Sequence, residues 1–246
     1  MSKLKIAIQK SGRLSEKSLA LLNECGIKII NGDRKLKSLA SNFPIEVLFL
    51  RDDDIPQYVE QGVADIGIVG ENEVWEKSKL VNTIERLGFA GCKMALAIPK
   101  DEYYPGITYF EGKRIATSYP KILTDYFSMK NIQVEIEEIG GSVEIAPGIG
   151  LADGIFDIVS TGSTLLMNGL KEVEEVAKSE AVLIATTRLV SEKQNMLDKL
   201  LFRIRAVRNA IENKYILLNA PNDAIPAISA VLPGMKSPTI LPLAEP

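Results

Sequence analysis

A short apolar run that ends in a cluster of small hydroxyl residues constrains the fold of this chain more than any other feature. Residues 155–159 (IFDIV) have the length and composition of a buried β-strand, and a helix-compatible segment lies at residues 164–168. The turn between them reads Ser160, Thr161, Gly162, Ser163, Thr164. A strand, a tight turn and a helix form one β/α unit, so the pattern predicts an α/β fold assembled from such units.

The turn itself has the composition of an anion-binding site. Its backbone N–H groups and hydroxyls can converge on one phosphate, and Gly162 lets the backbone approach the ligand because it carries no side chain. Asp157 lies on the same face of the strand as Val159, where a carboxylate can accept hydrogen bonds from sugar hydroxyls. The alternative is a plain strand-to-helix turn, capped by Ser160 or Thr161, that binds no ligand.

The rest of the chain continues the alternation of strands and helices. We predict strands at residues 4–9, 46–50, 64–69, 94–98, 113–116, 134–139, 173–177 and 181–186, and helices at residues 15–25, 53–61, 121–130 and 192–213. Residues 1–99 together with 183–213 are expected to form one lobe, and residues 100–182 a second lobe inserted into it. Residues 214–246, with a strand at 215–219 and a helix at 223–231, are expected to begin a third α+β domain that is cut short.

With the phosphate loop and its flanking residues identified, the chain resembles a known family. Glu144, Gly150, Asp157 and the T-G-x-T-L of residues 161–165 resemble the signature of the ATP phosphoribosyltransferases of histidine biosynthesis. Four further segments agree: IAIQKSGRL (6–14), RDDDIPQYVEQGVADIGIVGEN (51–72), GKRIATSYP (112–120) and LPGMKSPTILPLAE (232–245). The resemblance therefore extends over essentially the whole chain.

The resemblance carries expectations about activity and architecture. It implies transfer of the 5-phosphoribosyl group of phosphoribosyl pyrophosphate to the ring nitrogen N1 of ATP, with pyrophosphate released and magnesium as cofactor. It implies a two-lobed, periplasmic-binding-protein-like (type II) fold with the active site between the lobes, and a homo-oligomer, either a dimer or a hexamer. In the long form of the family a C-terminal domain binds histidine as a feedback inhibitor, and residues 214–246 would be its start. If most of that domain is missing, the chain is expected to be insensitive to histidine.

The resemblance also assigns roles to the phosphate loop and its neighbours. The loop residues 160–164 would hold the 5-phosphate of the sugar donor, Asp157 would bind the ribose hydroxyls, and Glu144 would help to orient the ribose. Asp157 and Glu144 are therefore treated as catalytic residues, together with two basic residues near the amino terminus.

Those basic residues lie in the segment Lys10, Ser11, Gly12, Arg13, directly after the first predicted strand. Ligands gather at the carboxyl ends of strands in open α/β sheets, and the two cations suit pyrophosphate or the triphosphate of ATP. Ser11 and Gly12 would contribute to the same substrate site. The alternative is a solvated basic turn with Ser15 capping the following helix.

Four more residues are candidates for substrate binding. Gly70 and Glu71 follow the third predicted strand, although Glu71 could simply begin a helix. Arg114 and Tyr119 lie at the end of the first strand of the second lobe, and Tyr119 could stack on adenine or pack on the core of its own lobe. The acidic residues 52–54 could be functional or could complement a helix dipole, and we assign no metal ligand because magnesium usually binds through substrate phosphates.

Composition excludes several classes of protein. The net charge of −3 disfavours nucleic-acid binding, and no apolar segment is long enough for a signal peptide or membrane span, so we expect a cytoplasmic protein. The chain has no histidine, which excludes imidazole-based triads and leaves acid–base chemistry to carboxylates, Lys, Tyr or water. Two cysteines are too few for a disulfide framework. The rival interpretations are a solute-binding protein with the same two-lobed plan and a non-catalytic subunit or feedback sensor.

Overall fold

The computed structural model describes residues 2–30, 36–212, 216–232 and 239–241. Met1–Val207 form one compact unit and Arg208–Pro246 a second. The first unit contains two β-sheets, each covered by helices, and it includes both predicted lobes.

The first sheet has six strands in the order β2-β3-β1-β4-β11-β5. Its strands are β1 (Leu4–Gln9), β2 (Lys37–Leu39), β3 (Ile45–Leu50), β4 (Ile66–Gly70), β5 (Val81–Arg86) and β11 (Ala181–Thr186). Strands β1, β3 and β4 are parallel, so their carboxyl ends meet at one edge of the sheet. Loops that follow these strands therefore collect at that edge, where ligands bind in open α/β sheets.

Both faces of the first sheet are buried, and the strand sequences show why. In β11 (AVLIAT), Ala181, Leu183 and Ala185 face one core, and Val182 and Ile184 face another. Alternate side chains of a strand point to opposite faces, so a continuous apolar run suits a strand that is covered on both sides. The helices α1 (Arg13–Glu24), α2 (Ile55–Glu60), α3 (Glu71–Lys77) and α6 (Ser191–Glu212) belong to this part of the chain.

The second sheet has five strands in the order β10-β6-β9-β7-β8. Its strands are β6 (Cys92–Pro99), β7 (Arg114–Thr117), β8 (Glu135–Glu138), β9 (Gly154–Val159) and β10 (Leu170–Ser179), with helices α4 (Pro120–Lys130) and α5 (Ser163–Met167). Strands β7, β8 and β9 run parallel, whereas β6 is antiparallel to β9 and β10. One face carries an aromatic core in which Phe110 and Phe127 are fully buried.

The chain crosses between the sheets twice, and the two crossings lie side by side. The first runs from β5 to β6, and the second from β10 to β11. Hydrogen bonds join them: the amide of Leu87 donates to the carbonyl of Ala181, and the amide of Ala181 donates to the carbonyl of Phe89, both at 2.9 Å. The chain thus leaves the first sheet and returns to it through two neighbouring connections.

Most predicted elements are present, with one strand in a different sheet. The prediction grouped residues 94–98 with the first lobe, but β6 lies between β9 and β10 in the second sheet. This run is apolar throughout and buried on both faces, which suits a central strand of either sheet, so composition could not decide between them. Strands β2 and β5 were missed, and the division into lobes at residues 99 and 182 stays a prediction.

In the second unit the structure describes a short 3-10 turn, Asn222–Ala224, and α7 (Ile225–Val231). The helix confirms the prediction over residues 223–231. The predicted strand at 215–219 is wrong where it can be checked, since residues 216–219 form no strand. A strand needs a hydrogen-bonded neighbour, and the described residues of this unit provide none. Residues 233–238 and 242–246 lie outside the described residues. Among the described helices, none combines the length and apolar character needed to cross a membrane.

Candidate active site

A cavity of about 330 Å³ opens at the carboxyl end of β9. Its walls come from the turn after β9, from the 3-10 turn Val143–Ile145 and from the first residue of α1. The lining residues are Arg13, Glu144, Asp157, Ile158, Val159, Ser160, Thr161, Gly162, Ser163, Thr164 and Leu165. The structure therefore brings three of the four predicted catalytic residues and the whole predicted phosphate loop to one place.

The loop after β9 has donors that no other part of the described chain uses. The amides of Ser160, Thr161 and Gly162 donate to no acceptor within the described residues. Gly162 has φ +76°, a left-handed conformation that costs a residue with a Cβ about 1 kcal/mol or more. The hydroxyls of Thr161 and Ser163 lie 3.0 Å apart. The loop thus presents amides and hydroxyls together to the cavity.

The alternative in which Ser160 or Thr161 caps the next helix is wrong. Helix α5 begins at Ser163 after Gly162, and no side chain caps it. A capping side chain would have occupied the amides that a ligand needs.

Asp157 and Glu144 place two carboxylates on the wall of this cavity. Burial, with a smaller contribution from the negative charge of Glu144, raises the pKa of Asp157 to about 6, and a hydrogen bond from the Ile158 amide opposes both effects. That hydrogen bond is 2.7 Å long. At neutral pH Asp157 is mostly ionised, so it can accept hydrogen bonds from two neighbouring hydroxyls.

The segment of residues 10–13 follows β1 as predicted. The amide of Lys10 donates to the carbonyl of Leu50 at 2.7 Å, which holds the start of the turn against β3. Gly12, with φ +94°, precedes α1, and Arg13 is the first residue of that helix. Lys10 and Ser11 are exposed and do not line the cavity, so only Arg13 joins it directly. The alternative with Ser15 as the helix cap is wrong, because Ser15 lies buried inside α1.

Gly70 and Glu71 lie at the end of β4 and the start of α3. Glu71 is buried and accepts two hydrogen bonds, of 2.7 and 2.9 Å, from the guanidinium of Arg86. The carboxylate is thus engaged in a structural ion pair while it begins the helix, as the alternative for this residue expected. Substrate binding by Gly70 and Glu71 stays a prediction.

Tyr119 occupies the space between the two sheets. Its ring packs against the aromatic core of the second sheet, which confirms the packing alternative. Its hydroxyl accepts a hydrogen bond of 3.4 Å from Asn72 and bonds to the carboxyl of Glu73. Burial, followed by the charges of Glu73 and Asp157, raises the pKa of Tyr119 far above its ordinary value. Stacking of Tyr119 on adenine remains a prediction.

Arg114 does not join the other candidates. It is the first residue of β7, and its amide donates to Asp153 at 2.9 Å, beside the start of β9. The cavity lies at the other end of β9, about 16 Å away for five residues of extended chain. Because β7 and β9 are parallel, a residue at the start of β7 lies at the edge of the sheet opposite the cavity.

The sequence analysis missed Glu73 and its partner Asn72. Both lie in the first turn of α3, where acidic residues commonly complement the helix dipole. The sequence alone therefore did not show whether Glu73 is a functional carboxylate or a partner of the helix dipole. The available signal was their position directly after a buried parallel strand.

Comparison with known proteins identifies the family. The family model described as ATP phosphoribosyltransferase matches residues 51–206, and the one described as HisG, C-terminal domain, matches residues 210–246. The ATP phosphoribosyltransferase of Cytophaga hutchinsonii is 59% identical over 242 residues, covering 98% of this chain and 85% of that protein. This chain belongs to the ATP phosphoribosyltransferase family. The enzyme of the same name from Bacteroides thetaiotaomicron is also 59% identical, over 98% of this chain and 86% of its own length.

Solved structures agree on the fold of this chain. The ATP phosphoribosyl transferase (HisG:HisZ) complex from Thermotoga maritima matches with a TM-score of 0.73 and 30% identity, over 84% of this chain and 98% of that one. The arginine-bound form of truncated ArgBP from T. maritima matches with a TM-score of 0.53 and 12% identity, over 84% and 96% of the two chains. The second likeness concerns the fold alone, and it confirms the predicted periplasmic-binding-protein-like (type II) architecture.

Proposed function

We propose that this chain transfers the 5-phosphoribosyl group of phosphoribosyl pyrophosphate to N1 of the adenine ring of ATP, giving phosphoribosyl-ATP and pyrophosphate in the first step of histidine biosynthesis. The family membership supports the reaction. The observation that carries the site is the cavity at the end of β9, where unbonded loop amides, the carboxylate of Asp157 and the guanidinium of Arg13 surround one space.

The loop of residues 160–164 binds the 5-phosphate of the sugar donor. Hydrogen bonds to a charged group contribute about 1.5–3 kcal/mol each, so four or five of them give roughly 6–15 kcal/mol before the costs of association. Micromolar affinity requires about 8 kcal/mol. The loop alone therefore gives barely enough binding free energy for micromolar affinity, and the positive charges that bind the pyrophosphate supply the rest of the binding free energy.

Asp157 and Glu144 act on the ribose. The Asp157 carboxylate accepts hydrogen bonds from the ribose hydroxyls, and Glu144, beside it, restricts the orientation of the sugar. The positive charge that develops on the anomeric carbon is stabilised by these two carboxylates.

The basic end of the cavity acts on the leaving group. Arg13 and Lys10 neutralise the charge that pyrophosphate gains when its bond to the anomeric carbon breaks, and the Ser11 and Gly12 backbone holds the same phosphates. The N1 lone pair of adenine forms the new bond. Since the nucleophile is neutral, orientation and charge stabilisation are sufficient, and no histidine is required.

Magnesium enters this proposal with the substrate. Within residues 2–30, 36–212, 216–232 and 239–241, no three carboxylate or thiol side chains converge on a point where they could hold a metal ion. We place magnesium on the oxygens of the diphosphate, where it would supply positive charge when bound. We also propose that the chain acts in the cytoplasm, where both substrates are made, and as a homo-oligomer, which light scattering of the purified protein would test.

The test is direct detection of the adduct. Purified protein is incubated with ATP, phosphoribosyl pyrophosphate and magnesium, and N1-(phosphoribosyl)-ATP and pyrophosphate are quantified by mass spectrometry and a coupled assay. A solute-binding protein would bind a ligand and release no pyrophosphate, and a non-catalytic subunit would form no adduct. Either result would reject the proposal.

A matched pair of variants on one strand then tests the site. Asp157→Asn is expected to lower turnover by about 100-fold with the fold intact, because the neutral amide stabilises the developing positive charge poorly. Asp153→Asn is the control, since Asp153 lies at the other end of β9 beside Arg114. Equal activity of the two variants would remove the role assigned to Asp157.

A further inference from the structure

Glu73 is a buried carboxylate without a cationic partner. Only 6% of the residue is exposed, and within the described chain it forms no ion pair. The two other charged residues that are buried among the described residues each have one: Asp65 lies 2.7 Å from Nζ of Lys193, and Glu71 lies 2.7 Å from Arg86. A buried unpaired charge is costly, so its presence needs an explanation outside stability.

The partners that Glu73 does have are neutral and face the space between the sheets. The side-chain amide of Asn72 donates to Oε1 of Glu73 at 3.0 Å, and the Tyr119 hydroxyl bonds to the same carboxyl group. Asn72 is held in turn by Ser179, whose hydroxyl donates to the Asn72 side-chain carbonyl at 2.8 Å. These contacts fix the position of the carboxylate and leave it acceptor capacity, since an ionised carboxylate can accept about four hydrogen bonds.

Tyr119 links Glu73 to the cavity described above. The hydroxyl of Tyr119 bonds to Glu73 and is also influenced by the charge of Asp157, which lines the cavity. Asp157 is the proposed ribose ligand, and the base that attacks the anomeric carbon must approach the ribose from outside the phosphate loop. An approach past Tyr119 would bring the base to Glu73.

The chemistry of the base releases a proton that a nearby acceptor can take, although bond formation at N1 does not itself need one. When the N1 lone pair bonds to the anomeric carbon, the C–O bond to pyrophosphate breaks and its electron pair leaves with the pyrophosphate. The purine is then a cation shared between N1 and the exocyclic N6. Loss of one N6 proton moves the N–H electron pair into a C6=N6 double bond and restores neutrality.

We propose that Glu73 accepts a hydrogen bond from the exocyclic amino group of ATP and takes its proton as the bond between N1 and the anomeric carbon forms. The proton leaves to water when the product dissociates. This inference rests on the proposed function and deepens it, because it assigns a catalytic and base-selecting residue to the nucleotide half of the site.

The electrostatic surroundings of Glu73 agree with this role. Burial, and after it the charge of Asp52, raises the pKa of Glu73 to about 7, with a smaller contribution from Asp53. Lys77 and the hydrogen bond from Tyr119 act in the opposite direction. A proton acceptor works best when its pKa lies near the working pH.

The first experiment measures turnover of the full chain against pH for the natural protein, Glu73→Gln and Glu73→Asp. Glu73→Gln keeps the size and loses the basic oxygen, so turnover should fall by about 100-fold or more. Glu73→Asp should recover part of the activity, and the rise in natural turnover centred near pH 7 should be absent from Glu73→Gln, which keeps only the rise near pH 6 that belongs to Asp157. Glu192→Gln, on the exposed first turn of α6, is the matched control. Full activity of Glu73→Gln would overturn the inference.

The second experiment measures base selection by binding and does not depend on turnover. ATP donates from N6, whereas inosine triphosphate presents a carbonyl oxygen that a carboxylate repels. The natural protein should bind ATP more tightly by about 10- to 100-fold, the effect of one hydrogen bond to a charged group, and Glu73→Gln should bind both nucleotides nearly equally. In the natural protein the preference should also weaken as the pH falls from 8 to 6, a measurement that needs no folded variant.

The outcomes separate this inference from the proposed function. If the natural protein forms no N1 adduct, the proposed function itself fails. If the adduct forms but the preference for ATP over inosine triphosphate is the same in the natural protein and Glu73→Gln, and independent of pH, Glu73 is only structural and the inference is overturned.

Discussion

Replacing Glu73 by Gln should stabilise the protein at alkaline pH while it reduces activity. The ordinary pKa of 4.5 applies to Glu73 in the unfolded chain, and burial raises it to about 7 in the folded protein. A carboxyl group whose pKa is higher in the folded state favours folding while it is protonated and loses that contribution as the pH rises through the folded pKa. At 1.36 kcal/mol per unit, a difference of about 2.5 units costs the natural protein about 3 kcal/mol at pH 8. Gln cannot ionise, so the variant avoids this cost.

The assay is urea unfolding of the natural protein and Glu73→Gln at pH 5 and pH 8. The free energy of unfolding should favour the variant by about 1 kcal/mol or less at pH 5 and by about 3 kcal/mol at pH 8, and the latter corresponds to a rise in melting temperature of about 6–12 °C. Gln retains one acceptor oxygen for the hydrogen bond from Asn72. Glu192→Gln should show no such pH-dependent difference. A Glu73→Gln variant that is less stable than the natural protein at pH 8 would refute the reasoning.

Three further predictions concern the loop, the basic turn and a buried ion pair. Gly162→Ala should weaken binding of phosphoribosyl pyrophosphate measured by calorimetry, and lower the free energy of unfolding by about 1 kcal/mol, because residue 162 has φ +76°. Arg13→Gln should raise the dissociation constant of pyrophosphate by about 10-fold or more, measured by competition, through loss of a charge-assisted hydrogen bond. Lys193→Met should lower the free energy of unfolding in urea by about 3–5 kcal/mol, because Asp65 would remain buried and unpaired; a loss below 1 kcal/mol would contradict this.

The sequence predicted strands correctly where burial on both faces requires an apolar composition. The apolar runs of β11 and β9 can bury both faces only inside a sheet, and the observed strands match the predicted ones within a residue. Strand β5 (VNTIER) lies at the edge of its sheet, and half of its residues are exposed. It was missed because its polar composition is also typical of a loop. Edge strands need little apolar surface, and pattern alone does not mark them.

Local patterns placed the phosphate loop, but they could not place residues that depend on the assembly of both sheets. The loop, Asp157 and Glu144 are close in sequence and meet in one cavity. Arg114 was expected there because its segment resembles the family, yet strand direction puts it at the opposite edge. Glu73 was missed because its surroundings come from two other segments: α3 contacts the turn of residues 52–54 and helix α4, and the Tyr119 hydroxyl bonds to the Glu73 carboxyl group.

The paired crossings between the sheets have a mechanical consequence for catalysis. Arg13 is attached to the first sheet and the phosphate loop to the second, while the connecting segments are bonded to each other near Leu87 and Ala181. A small rotation about these two connecting segments would change the distance between Arg13, which binds the leaving pyrophosphate, and the loop that binds the sugar phosphate. It would not break the strand hydrogen bonds of either sheet. A compound bound beside this axis would therefore slow the enzyme by keeping Arg13 and the phosphate loop apart, although it would contact neither substrate.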